Sequence, residues 1–269
     1  MAHLRCDFVA DSLGLATSMT VLLPQRSSTR IGVTGSADAR PADASPGTGD
    51  EPPPVLYLLH GLSDDDTAWV RNTAIERYVE QRGLAVVMPQ VHRSFYLDQA
   101  YGGNYRTFLT EELPQVVGRF FRVSDRREDT FVAGLSMGGY GALTWALREP
   151  GRFAAAASLS GALDLAALSA GPAREEDPRM WERIVAGVDV AGSDADPFAL
   201  LPRADPATTP PLYLCCGTED PLFEDSLRFA ERASAAGLSV TSNFSRGGHE
   251  WGYWDARIRD VLEWLPLQE

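Results

Sequence analysis

The sequence predicts an α/β protein: a mainly parallel sheet with helices on both faces. Three observations carry that expectation. From residue 54 onward, short apolar runs alternate with stretches of helical periodicity, the pattern of successive strand–helix units. Pro211-Leu-Tyr-Leu-Cys-Cys216 is apolar without alternation, which suits a parallel strand buried on both faces. Thr130-Phe-Val-Ala133 leads through Gly134-Leu-Ser-Met-Gly138 straight into the helix-like run Gly139–Arg148, a strand-to-helix turn with a serine at its tip.

The elements follow in order. Arg5-Cys-Asp-Phe-Val9 and Ala16–Leu23 read as strands forming an antiparallel edge. Ser27 to Pro54 is rich in Gly, Pro, Ala, Ser and Asp. Too little chain precedes it for a separate domain, so it is expected as a flexible hairpin loop or insertion within one domain spanning 1–269. Strand 54–60 is followed by a helix within about 67–82 and by strand Leu84–Met88. A helix within about 105–121 precedes strand 130–135 and the helix after the serine. Strand Phe153–Leu159 leads to a polar excursion over the sheet, about 164–210, with a short helix around Glu175–Val188. After strand 211–216, a helix places Phe223, Leu227 and Ala230 on one face and stops at Gly237. Strand 238–244 and a glycine-rich loop lead to a closing helix carrying Trp254, Ile258, Val261 and Leu265. No internal repeat is present.

Composition narrows the function. A chain of 269 residues with 44% hydrophobic and 23% charged residues can bury a large core as an ordinary globular protein. The net charge of −13 argues against nucleic acid and anionic membranes as partners. Residues 1–12 lack the long apolar core of a signal peptide, and no stretch has the roughly 18 apolar residues of a membrane span. Cys6, Cys215 and Cys216 are an odd count without metal-like spacing. A reduced cytoplasmic protein without disulfides is expected, with a homo-oligomer left open.

The chemistry centres on Ser136. A serine on such an elbow stands clear of the sheet, and the following helix aims its N-terminal N–H groups at a developing oxyanion. The partners of an elbow serine follow in the order acid, then histidine. Of the histidines His3, His60, His92 and His249, only His249 follows Ser136; it lies in the loop Arg246-Gly-Gly-His-Glu-Trp251. The acid should end the strand before it, where Gly217-Thr-Glu-Asp-Pro221 offers Asp220 and Glu219, with Asp225 further on. Alternation points Glu219 and Asp220 in different directions, so only one can fit; Asp220 is the choice. Two backbone N–H groups should hold the oxyanion: Met137 after the serine, and Leu62 in the loop His60-Gly61-Leu62-Ser63. Gly61 lets that backbone come close to substrate, and His60 is expected to brace the loop. Tyr101, Trp181 and Trp251 are candidates for the substrate pocket, with ordinary packing the equal alternative. The run Asp64-Asp65-Asp66 is read as a solvated helix cap rather than a cation site.

The chain resembles the α/β-hydrolase esterases of the putative-esterase family, which includes tributyrin and acetyl esterases, S-formylglutathione hydrolases, feruloyl esterases and mycolyltransferases. The resemblance rests on Ser12–Met19, Leu23-Pro-Gln25, Leu56–Ser63, Met88–Tyr96, Glu111-Glu-Leu-Pro114, Gly134–Gly141 and His249-Glu-Trp-Gly-Tyr-Trp-Asp255. It is nearest to the small tributyrin-esterase-like branch. It implies an eight-stranded, mainly parallel sheet with a small cap-like excursion over the active site. It also implies Ser136 as nucleophile, Asp220 as acid, His249 as base, and Leu62 and Met137 N–H as the oxyanion hole. The loop His60-Gly-Leu-Ser-Asp64 departs from the Ser-Gly-Leu-Thr-Cys-like loop of the S-formylglutathione hydrolases. The expected activity is hydrolysis of short-chain acyl esters through an acyl-enzyme, on a small-molecule ester substrate, with no metal or cofactor. A thioesterase or acyltransferase on the same residues is the alternative. A catalytically dead binding protein of this fold is the reading that an intact Ser–Asp–His order disfavours.

Overall fold

The computed structural model describes residues 1–25, 51–186 and 189–267. The expected loop 27–54 lies almost wholly outside the described residues. The strands are β1 (Ala2–Ala10), β2 (Leu15–Leu23), β3 (Val55–Leu59), β4 (Ala85–Pro89), β5 (Thr130–Leu135), β6 (Ala155–Leu159), β7 (Leu212–Gly217) and β8 (Val240–Ser245). They form one eight-stranded sheet in the order β1-β2-β4-β3-β5-β6-β7-β8. β1–β2 and β2–β4 pair antiparallel and every other pair is parallel, so the expected antiparallel edge is present. Every residue of β3, β4, β5, β6 and β7 is buried, whereas β1 at the edge alternates half-buried and exposed positions. That is the difference between strands covered on two faces and a strand covered on one.

The helices are α1 (Ala68–Asn72), α2 (Ile75–Glu80), α3 (Tyr105–Thr107), α4 (Leu113–Phe120), α5 (Met137–Arg148), α6 (Leu165–Ala170), α7 (Pro172–Glu176), α8 (Pro178–Val185), α9 (Pro197–Leu200), α10 (Phe223–Ala235) and α11 (Trp251–Trp264). One face of the sheet packs on Trp69, Ile75, Val79, Ile258 and Val261 from α1, α2 and α11. The other packs on Leu113, Tyr140, Leu143, Trp181 and Phe229 from α4, α5, α8 and α10.

Three details differ from the sequence expectation. The single helix within 67–82 is two, because Thr73 is extended and its hydroxyl both donates to Trp69 O (2.5 Å) and accepts from Ile75 N (3.1 Å). One side chain thus closes α1 and opens α2. Between α3 and α4 the chain makes a π-type turn, Phe108–Glu112, inside what reads as one helix. The excursion holds four short helices rather than one. Asp164, Asp177 and Asp196 cap α6, α8 and α9 by accepting from Ala167, Met180 and Phe198 N–H. Pro178 and Pro197 follow two of those caps, where a missing N–H costs nothing.

Candidate active site

Ser136 sits at the carboxyl end of the central strand β5 with φ 51° and ψ −118°. A non-glycine residue there carries strain of roughly 1–3 kcal/mol. The turn is over-determined: Ser136 N donates to Leu159 O (2.9 Å), and its carbonyl accepts from Tyr140 N and Ala162 N (both 3.1 Å). The flanking glycines permit it. A Cβ at Gly134 would stand 2.4 Å from the Gly138 backbone, and one at Gly138 would stand 2.4 Å from Leu59 O.

His249 and Asp220 reach Ser136 from neighbouring strand ends. Glu219 N donates to Gly247 O (2.9 Å) and Thr218 N to Ser245 O (2.9 Å), so the loops after β7 and β8 are zipped together. His249 Nδ1 lies 2.9 Å from Asp220 Oδ2, and Nε2 lies 3.0 Å from Ser136 Oγ. An ionised carboxylate only accepts, which assigns the proton to Nδ1 and leaves Nε2 to accept from the serine hydroxyl. Burial alone would raise the Asp220 carboxyl. Hydrogen bonds from His249, Leu222 N–H and the Ser160 hydroxyl, with the charge of His249, outweigh it and hold Asp220 below the usual carboxylate value. Glu219 points away, to an exposed pair with Arg246 (2.9 Å), and Asp225 pairs with Arg228 (2.8 Å).

The loop after β3 lies against the serine. A Cβ on Gly61 would stand 3.7 Å from Ser136 Cβ. Leu62 follows in that loop, and Met137 opens α5 with its side chain wholly buried, accepting from Phe95 N through Sδ (3.3 Å). His60 braces the loop as expected. Its Nδ1 lies 2.7 Å from Gly61 O, its Nε2 accepts from Val91 N (3.1 Å), and its carbonyl accepts from the Tyr96 hydroxyl (2.9 Å). Burial holds this imidazole below its ordinary pKa, against hydrogen bonding to Gly61 and the charges of Asp64, Asp65 and Asp66.

The acidic run is not a single solvated cap. Asp65 accepts from the Thr67 hydroxyl and N–H before α1 and from Arg71 in its last turn, and these bonds override burial to hold it at about 2. Asp66 is only 3% exposed and accepts from Ser18 and Thr20 of β2 (2.9 and 2.8 Å). Asp64 accepts from Gly61 N (3.2 Å). Among the described residues, no group of three or more His, Cys, Asp or Glu side chains is arranged to hold a metal ion.

The aromatic candidates separate. Trp181 is buried against Phe95 (ring centroids 5.1 Å), the residue whose N–H meets Met137. Trp251 stacks edge-on to Trp254 (5.3 Å), which stacks edge-on to His249 (4.8 Å). Trp69 closes this ladder on Trp251 (5.4 Å) and donates its Nε1–H to Leu59 O (3.1 Å), at the root of the Gly61 loop. Tyr101 is 69% exposed and makes no side-chain hydrogen bond or ring contact among the described residues. Sequence reasoning passed over Ser160. A Ser-Gly pair ending the apolar run Ala154–Leu159 was its signal, a turn where a hydroxyl faces the neighbouring strand end.

A mainly parallel sheet with a serine elbow between β5 and α5 defines a serine hydrolase of the α/β-hydrolase fold. Residues 41–265 match the Esterase family, described as "Putative esterase", and the chain belongs to it. It is 29% identical over 219 residues to an acetyl esterase of Caldicellulosiruptor saccharolyticus, covering 78% of this chain and 82% of the relative. It superposes with a TM-score of 0.85 on fluorophosphonate-binding serine hydrolase F of Staphylococcus aureus, substrate bound, at 32% identity over 100% of this chain and 99% of that one. The S-formylglutathione hydrolase of Staphylococcus aureus superposes at 0.79, with 31% identity over 98% of both chains. The protein is a carboxylic ester hydrolase.

Proposed function

We propose that this esterase hydrolyses short-chain acyl esters through an acyl-enzyme on Ser136. The observation that carries the reading is the hydrogen-bonded line Ser136–His249–Asp220, with its serine on a strained turn. In it, His249 Nε2 takes the hydroxyl proton as Ser136 Oγ bonds to the ester carbonyl carbon. The carbonyl electron pair moves onto oxygen, which Leu62 and Met137 N–H hold. Such a donor contributes roughly 3–4 kcal/mol to the transition state. The intermediate collapses, the alkoxide leaves with the proton from His249, and the acyl group stays on Ser136. Water then repeats the sequence and frees the acid. Asp220 holds Nδ1–H throughout and stabilises the imidazolium. Phe95 and Trp181 pack on each other beside the Met137 side chain, 3% and 2% exposed, which supports a short acyl group over a long one. Free Cys6, Cys215 and Cys216 fit a reduced, cytoplasmic setting.

A fluorophosphonate probe with peptide mapping tests the nucleophile. The label is expected on Ser136, and Ser136→Ala is expected to lose roughly 10⁵-fold or more in turnover, because such residues act as a unit. A label on another serine overturns the reading. A second reading, a thioesterase acting on S-formylglutathione, is favoured by the likeness to the Staphylococcus aureus hydrolase over 98% of both chains. Comparing kcat/KM for S-formylglutathione with that for p-nitrophenyl acetate decides between them.

A further inference from the structure

Among the described residues, the non-glycine positions with positive φ are His92 (51°), Phe95 (50°), Tyr96 (54°), Ser136 (51°) and Ser160 (48°). All of them lie in the segments that leave the carboxyl ends of β4, β5 and β6. His92, Phe95 and Tyr96 share one loop, the one that follows β4. Positive φ crowds a Cβ, and for a bulky aromatic residue it is a true outlier, so a loop that keeps two of them side by side is held there by its surroundings. Phe95 and Tyr96 are each 3% exposed. Tyr96 N donates to Ser94 Oγ (3.0 Å) and Leu97 N to Ser94 O (3.2 Å), which closes the turn. From this turn the loop reaches two other segments. On one side the Tyr96 hydroxyl donates to His60 O (2.9 Å), and Val91 N donates to His60 Nε2 (3.1 Å). On the other, Phe95 N meets Met137 Sδ (3.3 Å) at the start of α5. The Tyr96 ring also lies so close to α5 that a Cβ at Gly141 would stand 2.6 Å from it. His60 stands two residues before Leu62. The loop after β4 therefore grips both backbone segments that carry the oxyanion donors.

We propose that Tyr96 and Phe95 are positioning residues, through which the strained loop Val91–Leu97 sets the spacing between the Leu62 and Met137 N–H groups. Neither residue touches the reacting atoms. This rests on the proposed roles of Ser136, Leu62 and Met137. Donors to an oxyanion work only when both are fixed at about 3 Å from the place where it forms. These two sit on separate strand ends, β3 and β5, so their distance needs an element bonded to both. The left-handed region of backbone conformation is small, so residues pinned in it have little torsional room in which to drift. That is what a spacer requires, and it gives the strain a use. Loss of the Tyr96 hydroxyl would take this donor from His60 O, in a residue only 1% exposed, and release the Gly61 loop from the spacer.

The test uses two variants. Tyr96→Phe keeps the ring and removes the hydroxyl; Met137→Leu keeps the backbone N–H and removes the sulfur that Phe95 N meets. Each is compared with wild type for kcat and KM on p-nitrophenyl acetate, per Ser136 titrated with fluorophosphonate. Each is also compared for inhibition by trifluoroacetone, whose adduct with Ser136 places an oxyanion where the two donors converge. Tyr96→Phe is expected to lower kcat roughly 10-fold, the scale of a hydrogen bond lost from a buried carbonyl, with KM within about twofold. Its Ki for trifluoroacetone should rise by the factor by which kcat/KM falls, because both report the transition state. Met137→Leu should show the same pairing with a smaller change, since sulfur is a weak acceptor. Tyr78→Phe is the control: it removes a hydroxyl from Asp255 on α11 (3.1 Å) and should lower the unfolding midpoint while leaving kcat and Ki unchanged. An unchanged Ki in either loop variant, or an equal rise in Tyr78→Phe, overturns the inference. A merely structural role for Tyr96 would lower the unfolding midpoint and leave kcat and Ki intact. If fluorophosphonate labels a serine other than Ser136, or wild type fails to bind trifluoroacetone, the proposed acyl-enzyme mechanism fails instead, a distinct result.

Discussion

At the scale of single residues, the acid beside His249 is a choice between adjacent carboxylates. Asp220 is 5% exposed and accepts from His249 Nδ1 and Leu222 N, whereas Glu219 stands in an exposed pair with Arg246 that contributes little. Asp220→Asn is expected to lower kcat by roughly 10⁴-fold, because the amide favours the wrong histidine tautomer. Glu219→Gln should stay close to wild type in the same assay; the reverse ranking would move the acid to Glu219. His60 yields a prediction about stability. Burial depresses its folded pKa, so between the folded and unfolded values the unfolded chain binds more protons. Its contribution is complete above the unfolded value of about 6.5 and is lost as the pH falls below it. Urea midpoints measured from about pH 7.5 to 5 should therefore fall more steeply for wild type than for His60→Gln.

At the scale of elements, the site depends on how closely α5 approaches β3. A Cβ at Gly138 would lie 2.4 Å from Leu59 O and 2.8 Å from His60 O. Gly138→Ala must push the start of α5 from the end of β3, separating Met137 from the Gly61 loop. A destabilisation of about 1–3 kcal/mol is expected, with a larger loss of kcat than of stability. Gly118 in α4 has open space around it, so Gly118→Ala should stabilise by about 0.5–1 kcal/mol and leave kcat unchanged. Urea unfolding with active-site titration checks both. The strands were legible because burial on two faces writes itself into the sequence as unbroken apolar runs such as Leu212–Cys216. Ser136 and His249 were legible as candidates because each stands in a short local pattern. Asp66 was not: its partners Ser18 and Thr20 are 48 and 46 residues away, and nothing local separates a buried carboxylate from a solvated one. The break at Thr73 was hidden because a threonine inside a helical period becomes a stop only when its hydroxyl caps the next turn. The Asp-Pro pairs at 177–178 and 196–197 did carry a helix-start signal, which the polarity of the excursion masked.

At the scale of the whole molecule, the cap-like excursion faces the loop 94–105. Tyr101 N donates to Arg183 O (3.0 Å) and Ala100 N to Ile184 O (3.4 Å), which fastens α8 to that loop. Behind the fastening, Phe95, Tyr140 and Trp181 pack into one another with centroids of 5.1 and 5.9 Å. Each methylene of a long acyl chain needs apolar cover worth about 0.8 kcal/mol, and side chains already packed together offer little of it. Soluble p-nitrophenyl esters should therefore show maximal kcat/KM at C2–C4; a maximum at C8 or beyond would reject the short-chain reading. Among the described residues no helix is long and apolar enough to cross a membrane.

The tryptophan ladder has a bearing on vibration. It runs from His249 through Trp254, Trp251 and Trp69 to Leu59 O, and the Gly61 loop returns from Leu59 to Ser136. The circuit is closed. His249 on one flank of Ser136 and the Gly61 loop on the other are tied to the same stack of indoles. A displacement of α11 that carried the stack as a unit would move both flanks together, common-mode rather than differential. The spacing that chemistry needs, set to a fraction of an ångström, can then persist while the scaffold around it moves by more.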